Sequence, residues 1–303
     1  MGKKTNVALT VGAASIAAWA ASKAVTKPTP RTIKKVLQFD KPIVLANRGG
    51  LAEAPENTLI AFKKAAALGV HGFLVDIRLT NDEEIIVFHD EYVNRTTNLE
   101  GRVADFTLAE LKQADAGYFF KDEQGDFSYR QEDQTILSLK ELLAQFPHLF
   151  ICIQIQDTPD TYEGSLIPSK LWYLIEALGA EEKVAVMSPF DEQVDRFNLY
   201  AQNRVATGAG NREIKKAYAA FTSQLGHFYR PNTDFFCSPQ KLGVFPIGTS
   251  SFIHFLSKLN MPIYFHDAEN DAEIEGLLHA GAAGFIADSP SLVMEAIQKE
   301  IEE

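Results

Sequence analysis

Polar side chains follow three short apolar runs in the first hundred residues, at the points where a strand would give way to a loop. They are Asn47 and Arg48 after the run 43–46, Asp76 after the run 72–75, and His89 after the run 85–88. A guanidinium, a carboxylate and an imidazole can bind an anion or a metal ion and can transfer protons. Because barrel enzymes place their chemistry at the carboxyl ends of strands, we predict that these four side chains meet at one mouth.

Short apolar runs and amphipathic segments alternate from residue 39 to the C-terminus. Nine runs are candidate strands, and they begin at Ile43, Gly72, Ile85, Leu149, Val184, Val205, Phe235, Pro262 and Gly284. Helical patterns occupy residues 59–68, 137–146, 170–178, 192–200, 212–225, 251–259, 272–280 and 292–301. This alternation, without a dinucleotide-binding glycine pattern, predicts a (β/α)8 TIM barrel with one run surplus or outside it. The polar stretch 98–134, with a short helical pattern at 108–114, predicts an insertion beside the mouth.

Composition limits the classes of function. A chain of 303 residues with 46% hydrophobic content can bury one large core. A formal net charge of -11 and a pI near 5.2 argue against nucleic acid as a partner, because binding phosphates requires clustered lysine and arginine. Cys152 and Cys237 lie in apolar or aromatic surroundings, which predicts buried thiols rather than a disulfide or a metal site.

The first 38 residues differ from the barrel predicted for residues 39–303. Lys3 and Lys4 precede a run of apolar and small residues from 7 to 21, and a basic, proline-containing linker follows it. These flanks predict a membrane-directed segment, either an uncleaved anchor or a signal peptide, and hence a membrane-associated or exported protein. The alternative is an alanine-rich soluble helix packed on the barrel.

Four motifs appear in order along the chain. They are Asn47-Arg48-Gly49, Pro55-Glu56-Asn57-Thr58, Leu74-Val75-Asp76 with Arg78-Leu79-Thr80, and His89-Asp90 with Arg95-Thr96. Together with the run 281–290, they make residues 40–300 resemble the glycerophosphodiester phosphodiesterase family. The resemblance implies a TIM barrel that hydrolyses a phosphodiester with two histidines and a divalent metal such as Mg²⁺ or Ca²⁺.

The departures from the family pattern fall on positions to which the resemblance assigns chemistry. Asn47 replaces the first histidine and cannot transfer a proton, which leaves His89 with Arg48. The resemblance implies a metal site at Asp76, with Glu56 beside it, but Leu74 and Gln154 replace two metal-binding glutamates and Gln156 replaces a phosphate-binding lysine. Strand alternation places Gln154 and Gln156 on one face, directed together into the mouth.

The retained residues also have structural alternatives. Arg48 could form a salt bridge at the barrel rim, Asp76 could pair with Arg48 or Arg78, and Glu56 could support the first turn of its helix. His89 could cap a loop carbonyl. Asp90, Arg95 and Thr96 are predicted to shape their loop, whereas His254, His266 and His279 have no partner pattern and are predicted to be core or surface residues.

Three functions remain open. The leading hypothesis is a degenerate, weakly active or inactive family member that binds a glycerophosphodiester, a lipid headgroup, a polymer phosphate or a protein partner. The alternative is an active, divergent metal-dependent phosphodiesterase that releases glycerol 3-phosphate and an alcohol, since Mg²⁺ can be held by one or two carboxylates and a glutamine oxygen can bind Ca²⁺. A purely structural interaction protein has no positive support in the sequence.

Overall fold

The computed structural model describes Trp19, residues 21–22, Thr26, residues 29–268 and residues 270–302. In chain order its strands are β1 (Ile43–Asn47), β2 (Gly72–Leu79), β3 (Ile85–Val87), β4 (Phe150–Ile155), β5 (Val184–Met187), β6 (Ala206–Thr207), β7 (Phe236–Ser238), β8 (Lys241–Leu242), β9 (Phe245–Pro246), β10 (Ile263–Phe265) and β11 (Gly284–Ala287). Its α-helices are α1 (Leu59–Ala67), α2 (Leu108–Leu111), α3 (Leu139–Gln145), α4 (Tyr162–Leu178), α5 (Asp191–Ala201), α6 (Asn211–Thr222), α7 (Ser250–Ser257), α8 (Asp271–Ala280) and α9 (Pro290–Glu302).

In the described part of the chain, eight parallel strands form one sheet in the order β6-β5-β4-β2-β1-β11-β10-β7. A parallel bridge between Gly208 and Phe235 links the ends of this row, so the sheet closes on itself. Helices follow the strands along the chain. The predicted alternation of parallel strands and helices is therefore confirmed, and the closed ring has the architecture of a (β/α)8 barrel.

The run that begins at Ile85 is the surplus strand. β3 pairs antiparallel with β2, with Ile85 opposite Leu79 and Val87 opposite Ile77. The prediction that His89 follows a barrel strand is therefore wrong. Residues 80–84 allow only a hairpin turn, whereas a parallel crossover needs a dozen or more residues. His89 reaches the mouth from the arm of this hairpin.

Helix α4 begins eight residues before the predicted start at residue 170. It spans Tyr162–Leu178, and the Thr161 side chain caps it by accepting a hydrogen bond from the Gly164 backbone amide. Gly164 and Pro168 obscured its first two turns, because both residues usually interrupt a helix.

Apolar side chains cover both faces of the sheet. Val44 and Ala46 of β1 pack towards the helices, whereas Ile43 and Leu45 belong to the cluster inside the barrel. Cys152 and Cys237 are free, buried thiols, as the sequence predicted. Burial raises the pKa of the Cys237 thiol to about 12, so it remains protonated at neutral pH.

Residues 31–37 pack against the face of the barrel where the strands begin. Val36 and Leu37 are buried in the interior cluster. Arg31 Nη2 lies 2.6 Å from Asp234 Oδ1, and Lys34 Nζ donates to the Val205 carbonyl at 2.7 Å. Part of the stretch that the sequence analysis treated as a linker is thus bound to the barrel.

The apolar run 7–21 falls outside the described residues, apart from Trp19 and Ala21. Directly after it, Ser22 Oγ lies 2.9 Å from His227 Nε2, so the chain touches the barrel at this point. Among the described residues, no helix has the length and apolar character needed to cross a membrane. Membrane targeting of the N-terminal segment stays a prediction.

Candidate active site

Asp76 lies at the centre of the polar side chains in the mouth. It pairs in register with Gln154 of the neighbouring strand β4, and its side chain is only 2% exposed. Its oxygens lie 2.8 Å from Arg48 Nε, 2.8 Å from His89 Nδ1, 3.1 Å from Gln154 Nε2 and 2.6 Å from Gln156 Nε2. The structure therefore brings together the charged residues that the sequence placed at one mouth.

Asp76 is ionised at neutral pH in spite of its burial. Burial by itself raises the pKa of a carboxyl group, because it disfavours the charged form. The hydrogen bond with His89 and the charge of Arg48 outweigh burial, so the pKa of Asp76 lies below its ordinary value of 3.8. The positive charge of Arg48 balances this carboxylate inside the mouth.

The turn after β1 fixes the position of Arg48. Its φ of +52° lies in the left-handed region, which residues other than glycine seldom adopt. The Arg48 amide donates to the Leu74 carbonyl and its own carbonyl accepts from the Asn57 amide, both at 2.8 Å, and these bonds hold the strained backbone. Gly49 allows helix α1 to approach, since a Cβ there would lie 2.8 Å from the Ala61 Cβ.

Glu56 is bound by two arginines. Arg95 donates from Nη1 to Oε2 and from Nη2 to Oε1, both at 2.8 Å, and Arg48 Nη1 donates to Oε1 at 3.1 Å. Arg95 also donates to Asp90, which shapes the loop as predicted. Arg48 Nε is close to Asp76 but is not aligned for a hydrogen bond, and it has no other acceptor among the described residues. Arg48 Nε therefore meets Asp76 as an ion pair and not through an aligned hydrogen bond.

Arg78 positions His89 through the backbone. Arg78 Nε donates to the His89 carbonyl at 3.0 Å and its Nη1 donates to Asp157 Oδ1 at 2.6 Å. The Phe88 amide donates to the Asp76 carbonyl at 2.9 Å, which brings the His89 ring next to the Asp76 carboxylate. Of the two arginines considered as partners of Asp76, Arg48 forms the ion pair, whereas Arg78 pairs with Asp157.

The two substituted positions next to Asp76 have different surroundings. Asn47 Nδ2 donates to Asp288 Oδ1 at 2.7 Å, which joins the end of β1 to the end of β11. No role for Asp288 was predicted from the sequence. Leu74 is buried in the cluster inside the barrel and also lines the mouth, so its side chain offers no oxygen atom to a ligand.

A cavity of about 240 Å³ opens at the carboxyl ends of the strands. Its walls are formed by Asn47, Arg48, Leu74, Asp76, Gln154, Met187, Ser188, Pro189, Ala209, Asn211, Ile214, Cys237, Pro239, Leu242 and His266. Leu242 comes from the unpredicted hairpin of β8 and β9. His266 lines the same cavity, which corrects its assignment to a plain surface or core position. A lone histidine has no spacing pattern, so the sequence offered no signal for it.

The side chains predicted to hold a metal are bonded to one another and to arginines. Both oxygens of Glu56 accept hydrogen bonds from Arg95, and both oxygens of Asp76 face the donors described above. Among the described residues, one group of three acidic or imidazole side chains brings its ligand atoms within 4.8 Å, and it consists of Glu275, His279 and Glu300 outside the mouth. As arranged, both carboxylates of the mouth are occupied by hydrogen bonds from protein donors.

Comparisons with known proteins support the same fold. The chain matches the Glycerophosphoryl diester phosphodiesterase family over residues 48–292. A glycerophosphodiester phosphodiesterase of Caldanaerobacter subterraneus subsp. tengcongensis is 30% identical over 259 residues, covering 86% of this chain and 99% of that protein. A glycerophosphoryl diester phosphodiesterase domain from Mycobacterium tuberculosis has a TM-score of 0.74 at 17% identity, covering 84% of this chain and 99% of that one.

A second solved structure resembles the same region. It is an Oleispira antarctica phosphodiesterase in complex with the product sn-glycerol-3-phosphate, with a TM-score of 0.66 and 22% identity, covering 85% of this chain and 97% of that one. At 17% and 22% identity, the two solved structures establish the fold only. Membership in the family rests on the family match over residues 48–292 and on the alignment of 259 residues with the Caldanaerobacter protein. The chain belongs to the glycerophosphoryl diester phosphodiesterase family.

Proposed function

We propose that this chain binds a glycerophosphodiester or a similar phosphate-bearing small molecule at the barrel mouth and hydrolyses it slowly or not at all. One observation carries the proposal: the retained carboxylate, Asp76, forms an ion pair with Arg48 and hydrogen bonds with His89 and two glutamine amides. These groups supply donors to an anion, whereas a metal ion needs oxygen ligands that are free to bind it.

Arg48 is the main anion-binding group of this proposal. Its side chain is 17% exposed and lines the cavity. A phosphate oxygen in the cavity could accept from its guanidinium, and charge-assisted hydrogen bonds to phosphate are about twice as strong as neutral ones. The Oleispira antarctica relative was solved with sn-glycerol-3-phosphate, which supports a ligand of this class.

Slow hydrolysis follows from the substitutions. Asn47 cannot act as an acid or base, and losing such a group commonly costs about 10² to 10⁴ in rate. The family is typically dependent on a divalent metal. At its metal site this chain has Leu74 and Gln154 in place of two carboxylates, and Gln156 in place of a cationic lysine. A metal stabilises the charge of a phosphoryl transition state by several kcal/mol, so we propose a weakened metal site and a low rate.

Calorimetric titration of sn-glycerol 3-phosphate into the protein at low salt tests the binding proposal. We expect weak binding that does not require Mg²⁺, and we expect Arg48→Ala to abolish it. Arg204→Ala is the matched control, because Arg204 pairs with Glu176 and Glu181 outside the mouth. Absence of binding to the parent protein, or equal binding by both variants, would overturn the proposal.

An active, divergent metal-dependent phosphodiesterase that releases glycerol 3-phosphate and an alcohol is the second candidate. It is favoured by Asp76, whose lowered pKa keeps it ionised and able to bind a cation. Rotation of the Gln154 amide would turn its oxygen towards Asp76 and make it a possible Ca²⁺ ligand. Hydrolysis that requires Mg²⁺ or Ca²⁺ and stops on chelation would favour this candidate.

We also propose that the segment 7–21 attaches the protein to a membrane. The chain joins the barrel at residues 31–37, on the face where the strands begin, so the mouth would point away from that membrane. The full chain should then fractionate with membranes, whereas a chain that starts at residue 29 should not. Equal distribution of the two chains would count against an anchor.

A further inference from the structure

His266 stands at the mouth without a partner in the described part of the chain. It directly follows strand β10, is exposed and lines the cavity that Arg48 and Asp76 also line. No hydrogen bond or ion pair links its ring to another described residue. An exposed imidazole in this position can reach a ligand in the cavity and can exchange protons with water.

The strand order places His266 across the barrel from His89. In the closed ring, β10 and β4 are separated by four steps in either direction, so they lie on opposite walls. β4 leads to Gln156, whose Nε2 lies 3.3 Å from His89 Nδ1. A phosphodiester held by Arg48 in this cavity would therefore have the His266 imidazole on the wall opposite Gln154, which ends β4 and lines the same cavity. In a displacement at phosphorus the attacking and leaving oxygens lie roughly in line, and an imidazole on that wall can meet one of them.

We propose that His266 is a catalytic residue, which donates the proton that Asn47 cannot carry. This inference rests on the proposed phosphodiester site and on residual turnover there. In the step, a water oxygen bonds to phosphorus and the bond from phosphorus to the alcohol oxygen breaks. The proton moves from the His266 imidazolium to the alcohol oxygen, the water releases a proton to solvent, and His266 is reprotonated by solvent.

In the described part of the chain, the elements next to His266 carry charged groups at Asp288 after β11, at Lys241 in β8 and at Asp267, which follows it in the chain. The Asp267 carboxylate accepts from the Gln240 backbone amide at 2.9 Å, and Asp288 accepts from Asn47. Both carboxylates thus have other partners, which leaves the His266 ring available to the ligand.

The test is the dependence of kcat on pH for hydrolysis of glycerophosphocholine by the full chain and its variants. His266→Gln should lower kcat by about 10² to 10⁴ and remove the alkaline limb, while binding of sn-glycerol 3-phosphate is retained. His254→Gln, on the exposed face of α7, is the matched control and should match the parent. Asn47→His should restore turnover in the His266→Gln protein, because it returns a proton donor to the mouth at the end of β1.

The remaining outcomes separate the role of His266 from the binding of a phosphate-bearing ligand. An unchanged kcat and pH profile in His266→Gln would overturn the role of His266. A parent that binds sn-glycerol 3-phosphate but has no measurable turnover would also overturn it, while leaving the binding proposal in place. A parent that shows neither binding nor turnover would overturn both.

Discussion

Replacing Asp76 by asparagine should destabilise the protein, because the substitution removes one of the two carboxylates that pair with the partly buried Arg48. Asp76 is 2% exposed and Arg48 is 17% exposed, so little water screens the pair. Removing one partner of a buried ion pair costs about 3–5 kcal/mol. Glu56 still pairs with Arg48, so we expect a loss of about 3 kcal/mol in the free energy of unfolding, at the lower end of that range.

The loss of stability in Asp76→Asn should depend on pH. The folded-state pKa of Asp76 is lowered, so its contribution is present above the unfolded pKa of about 3.9 and is lost as the pH falls through the folded value. The difference between the parent and Asp76→Asn should be complete at pH 7 and should shrink below about pH 4.

Asp157→Asn is the matched control, because Asp157 is also buried beside an arginine. Burial raises the pKa of Asp157 more than the charge of Arg78 lowers it. Its ionised form is therefore disfavoured in the fold, and Asp157→Asn should cost less at pH 7 than near pH 4. Urea unfolding at both pH values provides the measurement. Equal stability of the parent and Asp76→Asn at pH 7, or the same pH trend in both variants, would refute the reasoning.

Two further predictions concern the barrel and its mouth. The double change Val36→Ala and Leu37→Ala should lower the free energy of unfolding by about 3–5 kcal/mol, because removing the two buried side chains leaves cavities in the cluster inside the barrel. Urea unfolding measures the change, and an unchanged free energy of unfolding would show that residues 31–37 do not stabilise the barrel. A fourfold variant should bind Mg²⁺ tightly in calorimetry and hydrolyse glycerophosphocholine faster than the parent, although without metal its added carboxylates repel Asp76. Its changes are Asn47→His, Leu74→Glu, Gln154→Glu and Gln156→Lys, and a folded, metal-loaded variant that stays inert would show that the mouth has lost the required geometry.

Local patterns predicted most of the barrel. Buried parallel strands appear as short apolar runs, so each barrel strand was found within one or two residues of its end, except that β2 continues to Leu79. β3 was misplaced because an apolar run looks the same in parallel and antiparallel strands, and the short turn at Thr80 decided between them. Asp76 accordingly lies inside an extended strand rather than at its end.

Contacts between residues far apart in the chain could not be predicted from the local sequence patterns. Arg31 and Lys34 have the composition of a linker, and their partner Asp234 lies about two hundred residues away along the chain. His266 faces the cavity because the sheet closes into a ring, which no local spacing records. The grouping of Arg48, Asp76 and His89 was predictable, since each follows or ends an apolar run within one continuous stretch.

The most direct test of a weakly active phosphodiester site is the turnover number of the full chain with glycerophosphocholine. The measurement is made with saturating Mg²⁺, with saturating Ca²⁺ and with a chelator. We predict a kcat well below the roughly 1 to 10³ per second of ordinary enzymes, with little dependence on either metal. A metal-dependent kcat within that range would contradict the account and would establish an ordinary hydrolase in its place.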